Sequence, residues 1–204
     1  MKVLGLTGSV GMGKSAAAAM LRRMGVSVHD ADREVHDLLA PGGAALKEVT
    51  AAFPGVVRNG VLDRRALGRI VFADPRALAR LEAILHPKVR ARERRFMRRM
   101  RARRAPLVAL DIPLLYETGG DRRCDRVAVM WAPNFIQRAR VMRRPGMNAA
   151  RFAAILAKQL PDRVKRIRAD FTVPSGLGRA ATWRRLRRVL DAMRSCPAES
   201  DAAE

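Results

Sequence analysis

A chain of 204 residues, 49% apolar and 29% charged, is long enough to bury one α/β core with a small insertion or two. No segment approaches the roughly 18 uninterrupted apolar residues of a membrane helix, and the first residues run straight into a glycine-rich loop instead of a signal peptide. The expectation is a soluble, cytoplasmic protein without a membrane partner. The net charge is +22, from 41 Lys and Arg against 19 Asp and Glu, and the two cysteines, Cys124 and Cys196, lack metal-ligand spacing and read as reduced thiols with no catalytic part.

Val3 to Leu6 reads as a buried strand, followed at once by Gly8-Ser9-Val10-Gly11-Met12-Gly13-Lys14-Ser15, a complete G-x-x-x-x-G-K-S phosphate loop. Glycines let the backbone curl until successive N–H groups face phosphate oxygens. The cradle for a nucleoside triphosphate therefore runs through Gly8, Gly11, Met12, Gly13, Lys14, Ser15 and Ala16. Lys14 supplies a mobile charge for the β- and γ-phosphates, Ser15 a hydroxyl for Mg²⁺, and the following helix points its positive end at the same anion. Ala16 to Met24 has helical spacing and composition, with Gly25 placed to end the helix.

Val26 to His29 reads as a second strand, and Asp30-Ala31-Asp32 follows it. Asp32 at a strand's carboxyl end suits acceptance of a hydroxyl proton during attack on a γ-phosphate; capping of the next helix explains it equally well. His36, four residues on, shares its helical face and reads as structural. Between Lys88 and Arg104, ten of seventeen residues are basic and Glu93 is the one acid. A nucleic-acid stripe, a field drawing in a polyanionic substrate and a solvated helix face opposite Val89, Phe96, Met97 and Met100 all fit. The 4% aromatic content, which leaves few stacking platforms, argues against nucleic acid.

Leu107 to Leu110 is the third expected strand, ending in Asp111-Ile112-Pro113-Leu114-Leu115-Tyr116-Glu117. Asp111 stands where phosphate-loop enzymes hold Mg²⁺, the alternative being a cap ahead of Pro113; Glu117 reads as a surface acid. Val127 to Trp131 and Phe171 to Val173 complete five strands alternating with helical segments. This implies a mostly parallel sheet with ligands at its carboxyl edge. Ser195 to Glu204 reads as a disordered tail.

In order, Gly5-Leu6-Thr7-Gly8 into the phosphate loop, Asp30-Ala31-Asp32, His86-Pro87-Lys88-Val89-Arg90, Asp111 to Glu117, and Gln159-Leu160-Pro161 through Ala169-Asp170 resemble the dephospho-coenzyme A kinase family, over residues 1 to about 190. The resemblance implies transfer of the ATP γ-phosphoryl group to the ribose 3′-hydroxyl of dephospho-coenzyme A, with Mg²⁺. It also implies a three-layer P-loop NTPase fold with a five-stranded parallel sheet. Residues 1–32, 105–132 and 169–194 would form the core, 33–104 a helical acceptor-binding region, 133–168 a two-helix lid and 195–204 the tail.

By the same resemblance Asp32 is the general base. His86 and Arg90 lie near the acceptor, although the residues alone make His86-Pro87 a helix boundary. Asp111, Pro113 and Leu114 border acceptor and metal. Arg140 and Arg144, with Arg143 a close rival, are the lid arginines that meet developing charge, solvated surface being the alternative for each. Pro174-Ser175-Gly176 borders the adenine. The chain departs from the family pattern at Ser9, where glycine is usual, at Ala16, where a second hydroxyl is usual, and at Val164, where glutamate commonly precedes the lysine matching Lys165. Weaker nucleotide affinity is expected from the first two. Two other functions compete: another phosphate-loop kinase acting on a nucleotide or hydroxy acid, and a basic nucleic-acid-binding protein switched by ATP. A monomer and a small homo-oligomer are both compatible with the sequence.

Overall fold

The structure is a computed structural model that describes residues 1–58 and 60–195. Cys196 and positions 196–204 of the expected tail lie outside the described residues. In chain order the elements are β1 (Lys2–Thr7), α1 (Lys14–Arg23), β2 (Ser27–Asp30), α2 (Ala31–Leu38), α3 (Leu46–Ala52), β3 (Val57–Arg58), β4 (Val61–Leu62), α4 (Arg64–Ala73) and α5 (Pro75–Ala102). There follow β5 (Leu107–Asp111), a 3₁₀ turn Gly120–Arg123, β6 (Arg126–Trp131), α6 (Asn134–Met142), α7 (Ala149–Ala157), α8 (Asp162–Arg168), β7 (Phe171–Pro174) and α9 (Arg179–Ser195).

The five expected strands pair in the order β2-β5-β1-β6-β7, and the registers of β1 with β5 and β6, and of β6 with β7, are parallel. Parallel strands buried on both faces read as continuous apolar runs, and β5 is buried at all five positions. On one face Leu4, Leu6, Ala128 and Met130 pack with Ala17, Met20 and Leu21 of α1 and with Leu186, Val189, Leu190 and Met193 of α9. Leu115 and Cys124 come up against Gly5 on the other face, where a Cβ would meet each at 2.9 Å. The register sets Leu6 beside Asp111. The end of β5 therefore stands next to the start of the phosphate loop, the carboxyl-edge location where α/β sheets hold ligands.

The chain divides into two compact units, Met1–His29 with Met100–Glu204, and Asp30–Arg99. The second has its own core, in which Leu38, Val49, Phe53, Val56, Leu67 and Val71 are buried together. It is mainly helical, with a short antiparallel hairpin, Val57 to Leu62 and Arg58 to Val61, between α3 and α4.

Three expectations are corrected. His86-Pro87 is no helix boundary, because Pro87 lies inside the 28-residue α5. Leu78, Leu81, Ile84 and Leu85 before it and Val89 after it pack on the same core, and this burial holds the helix through the lost hydrogen bond. Residues 133–168 hold three helices in place of two. The Asn148 side chain accepts from Arg151 N at 2.8 Å and starts α7 afresh after the Gly146 turn, and Pro161, φ −54°, opens α8. The helix behind the phosphate loop begins at Lys14 and not at Ala16.

Candidate active site

Most of the phosphate loop is backed by residues from elsewhere in the chain. Gly13 is the N-cap of α1 at φ 86° and ψ 17°, a left-handed conformation natural to glycine. A Cβ on Gly11, φ 80°, would meet Val141 Cγ2 at 2.7 Å and Gln137 O at 3.1 Å. The Gly-x-Gly spacing is therefore required twice, by backbone angle and by the closeness of α6. Met12 is fully buried, with its sulfur 3.1 Å from Ala132 N.

Lys14 Nζ pairs with Asp111 Oδ1 at 2.8 Å, the two side chains being 13% and 2% exposed. A carboxylate so placed keeps the lysine charge at the mouth of the loop in a partly desolvated setting. Ser15 and Ala16 follow on the first turn of α1, both exposed. The loop's N–H groups, the α1 dipole and Lys14 together make a site for a polyphosphate. Ser15 and Asp111 offer a hydroxyl and a carboxylate, and an all-oxygen pair that leaves most positions to phosphate and water suits Mg²⁺. Pro113 is half-buried, its carbonyl accepting from Thr7 Oγ1 at 3.1 Å, and Leu114 is 37% exposed.

Of the expected lid arginines, Arg140 reaches the loop. Its Nη1 donates to Gly11 O at 3.3 Å and Ser175 Oγ at 2.8 Å, and its Nη2 to Ser175 O at 2.8 Å. Ser175 Oγ in turn donates to Met12 O at 2.8 Å, so the turn after β7 is tied to the loop. Pro174 closes β7 and Gly176 packs close to Ile136 and Pro133. Arg143 and Arg144, at the end of α6, are exposed.

Contacts that the sequence did not announce come from α6, from the turn between α7 and α8, and from the first residue of α8. Gln137 Nε2 donates to Val10 O at 2.8 Å, Val10 N donates to Gln159 Oε1 at 3.1 Å, and Ser9 Oγ donates to Asp162 Oδ1 at 2.6 Å. Sequence separations of 127 to 153 residues leave no local signal for such pairs. Glu117 is not the surface acid expected: it is 14% exposed, and its Oε1 lies 2.8 Å from Nζ of the fully buried Lys165 and accepts from Leu160 N at 2.8 Å. A buried ammonium needs such a partner, and the Val164 departure leaves it supplied. Nearby, burial pushes the Tyr116 phenol up to about 12, against the pull of Arg168, whose guanidinium lies 4.4 Å from the ring centroid. A cavity of about 870 Å³ opens here, walled by Ser9, Trp131, Phe135, Phe152, Gln159 and Arg166.

The other expected residues belong to the unit Asp30–Arg99. Asp30 is the N-cap of α2, its carboxylate accepting from Arg33 N at 3.1 Å. Capping is thus done by Asp30 and does not account for Asp32, an exposed residue of the first turn. His36 is also exposed. His86 and Arg90 are exposed on α5 one helical turn apart, a spacing that sets them on one face.

The family model described as Dephospho-CoA kinase matches residues 2–176. A dephospho-CoA kinase of Paramagnetospirillum magneticum is 65% identical over 166 residues, 81% of this chain and 78% of the relative. One of Rhodospirillum rubrum is 57% identical over 95% of this chain and 92% of its own. Among solved structures, TT1252 from Thermus thermophilus superposes with a TM-score of 0.82 at 36% identity, covering 96% of this chain and 98% of that one. A phosphate loop backed by Asp111 on a parallel sheet, and likeness of this extent along the chain, make it a member of the dephospho-CoA kinase family.

Proposed function

We propose that the protein transfers the γ-phosphoryl group of ATP to the ribose 3′-hydroxyl of dephospho-CoA, giving CoA and ADP. The observation that carries this reading is the phosphate loop with Lys14 held 2.8 Å from Asp111, in a chain of this family. The loop amides and the α1 N-terminus bind the β- and γ-phosphates, and Lys14 places its charge where negative charge shifts during transfer. Asp32 orients the 3′-hydroxyl and takes its proton as the new O–P bond forms and the β,γ-bridging bond breaks, the electron pair leaving with ADP. Arg140 fixes the loop to the turn at Ser175 and, with Arg144, meets the developing charge. His86, Arg90, Pro113 and Leu114 contact the acceptor. Ser15 and Asp111 would hold Mg²⁺, which when bound neutralises phosphate charge. The cytoplasm, where ATP is supplied and thiols stay reduced, suits the thiol of Cys124, which forms no disulfide among the described residues.

The test is Mg²⁺-dependent ADP release with dephospho-CoA, beside AMP, shikimate and a control without acceptor, the product being identified by mass. Strong stimulation by dephospho-CoA with appearance of CoA is expected. Stimulation by another acceptor would remove the substrate assignment. ATP binding without stimulation by any acceptor would remove the transferase reading.

A further inference from the structure

The first turn of the phosphate loop is gripped from outside. The Val10 peptide is held on both sides, Gln137 Nε2 donating to its carbonyl at 2.8 Å and its own N–H donating to Gln159 Oε1 at 3.1 Å. One residue earlier, Ser9 Oγ donates to Asp162 Oδ1 at 2.6 Å. Gln159 and Asp162 are themselves anchored: between them Leu160 N donates to Glu117 Oε1, and the same oxygen lies 2.8 Å from Nζ of the fully buried Lys165, one turn along α8. A single carboxylate thus fixes both the turn and the helix that follows it.

We propose that Gln159 and Asp162 are positioning residues of the phosphate loop, which fix Ser9 and Val10 so that the amides from Gly11 to Ser15 are set for the triphosphate before it arrives. The Val10 N–H already has an acceptor and does not compete for the anion, and the loop loses less freedom on binding. Ser9 gains a specific part: in place of the glycine usual in the family, its hydroxyl gives the loop a second tie. The Ser9 hydrogen bond directs a donor at the Asp162 carboxylate and offsets its negative charge close to an anion site. The departure expected to weaken nucleotide binding becomes a device that organises it.

This inference rests on the loop being the ATP site, and the experiment separates the two. ATP affinity is measured by calorimetry, and the KM values and kcat are measured for Ser9→Ala, Asp162→Ala, the double variant, Asp162→Asn, Gln159→Leu and Lys14→Ala. Ser9→Ala, Asp162→Ala and the double variant should each weaken ATP binding by about fivefold, the double no more than either single, as one shared hydrogen bond requires. Gln159→Leu should act in the same direction. Asp162→Asn keeps the acceptor oxygen and should restore the parental affinity. The KM for dephospho-CoA and the thermal midpoint should stay in place. Additive single effects, failure of Asn to restore, or equal weakening of both substrates would overturn the positioning role. Undiminished ATP binding by Lys14→Ala would instead overturn the loop assignment, and the inference with it.

Discussion

Lys14 holds its charge at the start of a helix beside a buried carboxylate, so its removal leaves the Asp111 charge without that partner as well as an ATP site without its cation. Lys14→Ala should lower turnover by orders of magnitude while circular dichroism stays unchanged. With the α2 cap assigned to Asp30, Asp32→Asn should lower kcat by roughly 10²- to 10⁴-fold, the usual contribution of a general base; near-normal turnover of the folded variant would remove that role. Tyr116 offers a different reading, since it is the one tyrosine in the chain. Its folded value of about 12 stands above the ordinary 10, chiefly through burial. The folded state therefore favours the neutral phenol. The stability this gives is complete below the unfolded value and is lost as pH rises from about 10 to about 12. Alkaline absorbance titration of phenolate should show one late midpoint that vanishes in Tyr116→Phe, and an ordinary midpoint would contradict the burial.

Among elements, α8 is short, exposed on much of its surface and tied down by Lys165, whose side chain is 0% exposed against 14% for its partner Glu117. Breaking a buried pair by removing one partner costs about 3 to 5 kcal/mol, because the other charge is stranded. Glu117→Ala should therefore lower the urea midpoint sharply, a loss that a surface acid would not produce. That acid shows what the sequence could and could not disclose. β1, β5 and β6 were legible because each is an apolar run, the shorter and more mixed β2 and β7 because they alternate with helical segments, and the phosphate loop because its spacing is local. Glu117 was misread because its partner lies far along the chain. Pro87 was misread because its local preference is overridden by apolar neighbours on both sides, and the hairpin at Val57 to Leu62 was passed over despite Asn59-Gly60, a strong turn signal in sequence. The contacts of Ser9 and Val10 depend on chain geometry that periodicity does not contain.

For the whole molecule, the charge of +22 is a property of solubility and repulsion before it is a property of any site. Arg90, Arg94, Arg95, Arg98, Arg99 and Arg101 are exposed on α5, while Phe96 and Met100 between them are buried, so the solvated-face reading of the basic run suffices. Self-repulsion on this scale is screened by salt. The thermal midpoint should rise as salt is added from low to physiological ionic strength, and a flat or falling midpoint would show that the charges are already compensated.

Strand order also governs how the chain is made. β1 leaves the ribosome before the other strands of its sheet but occupies the middle of it, between β5, which begins at Leu107, and β6, which begins at Arg126. During synthesis the phosphate loop is attached to a strand with no neighbours, and both of its edges are open templates for wrong pairing. The unit Asp30–Arg99 is continuous in sequence and can condense in the interval. Its condensation shortens the loop that must close before β5 finds β1, and so lowers an entropic barrier that rises with loop length. A ribosome stalled before β6 would hold the phosphate loop complete yet leave one edge of its central strand bare, which makes the middle of translation the interval of greatest aggregation risk for this protein.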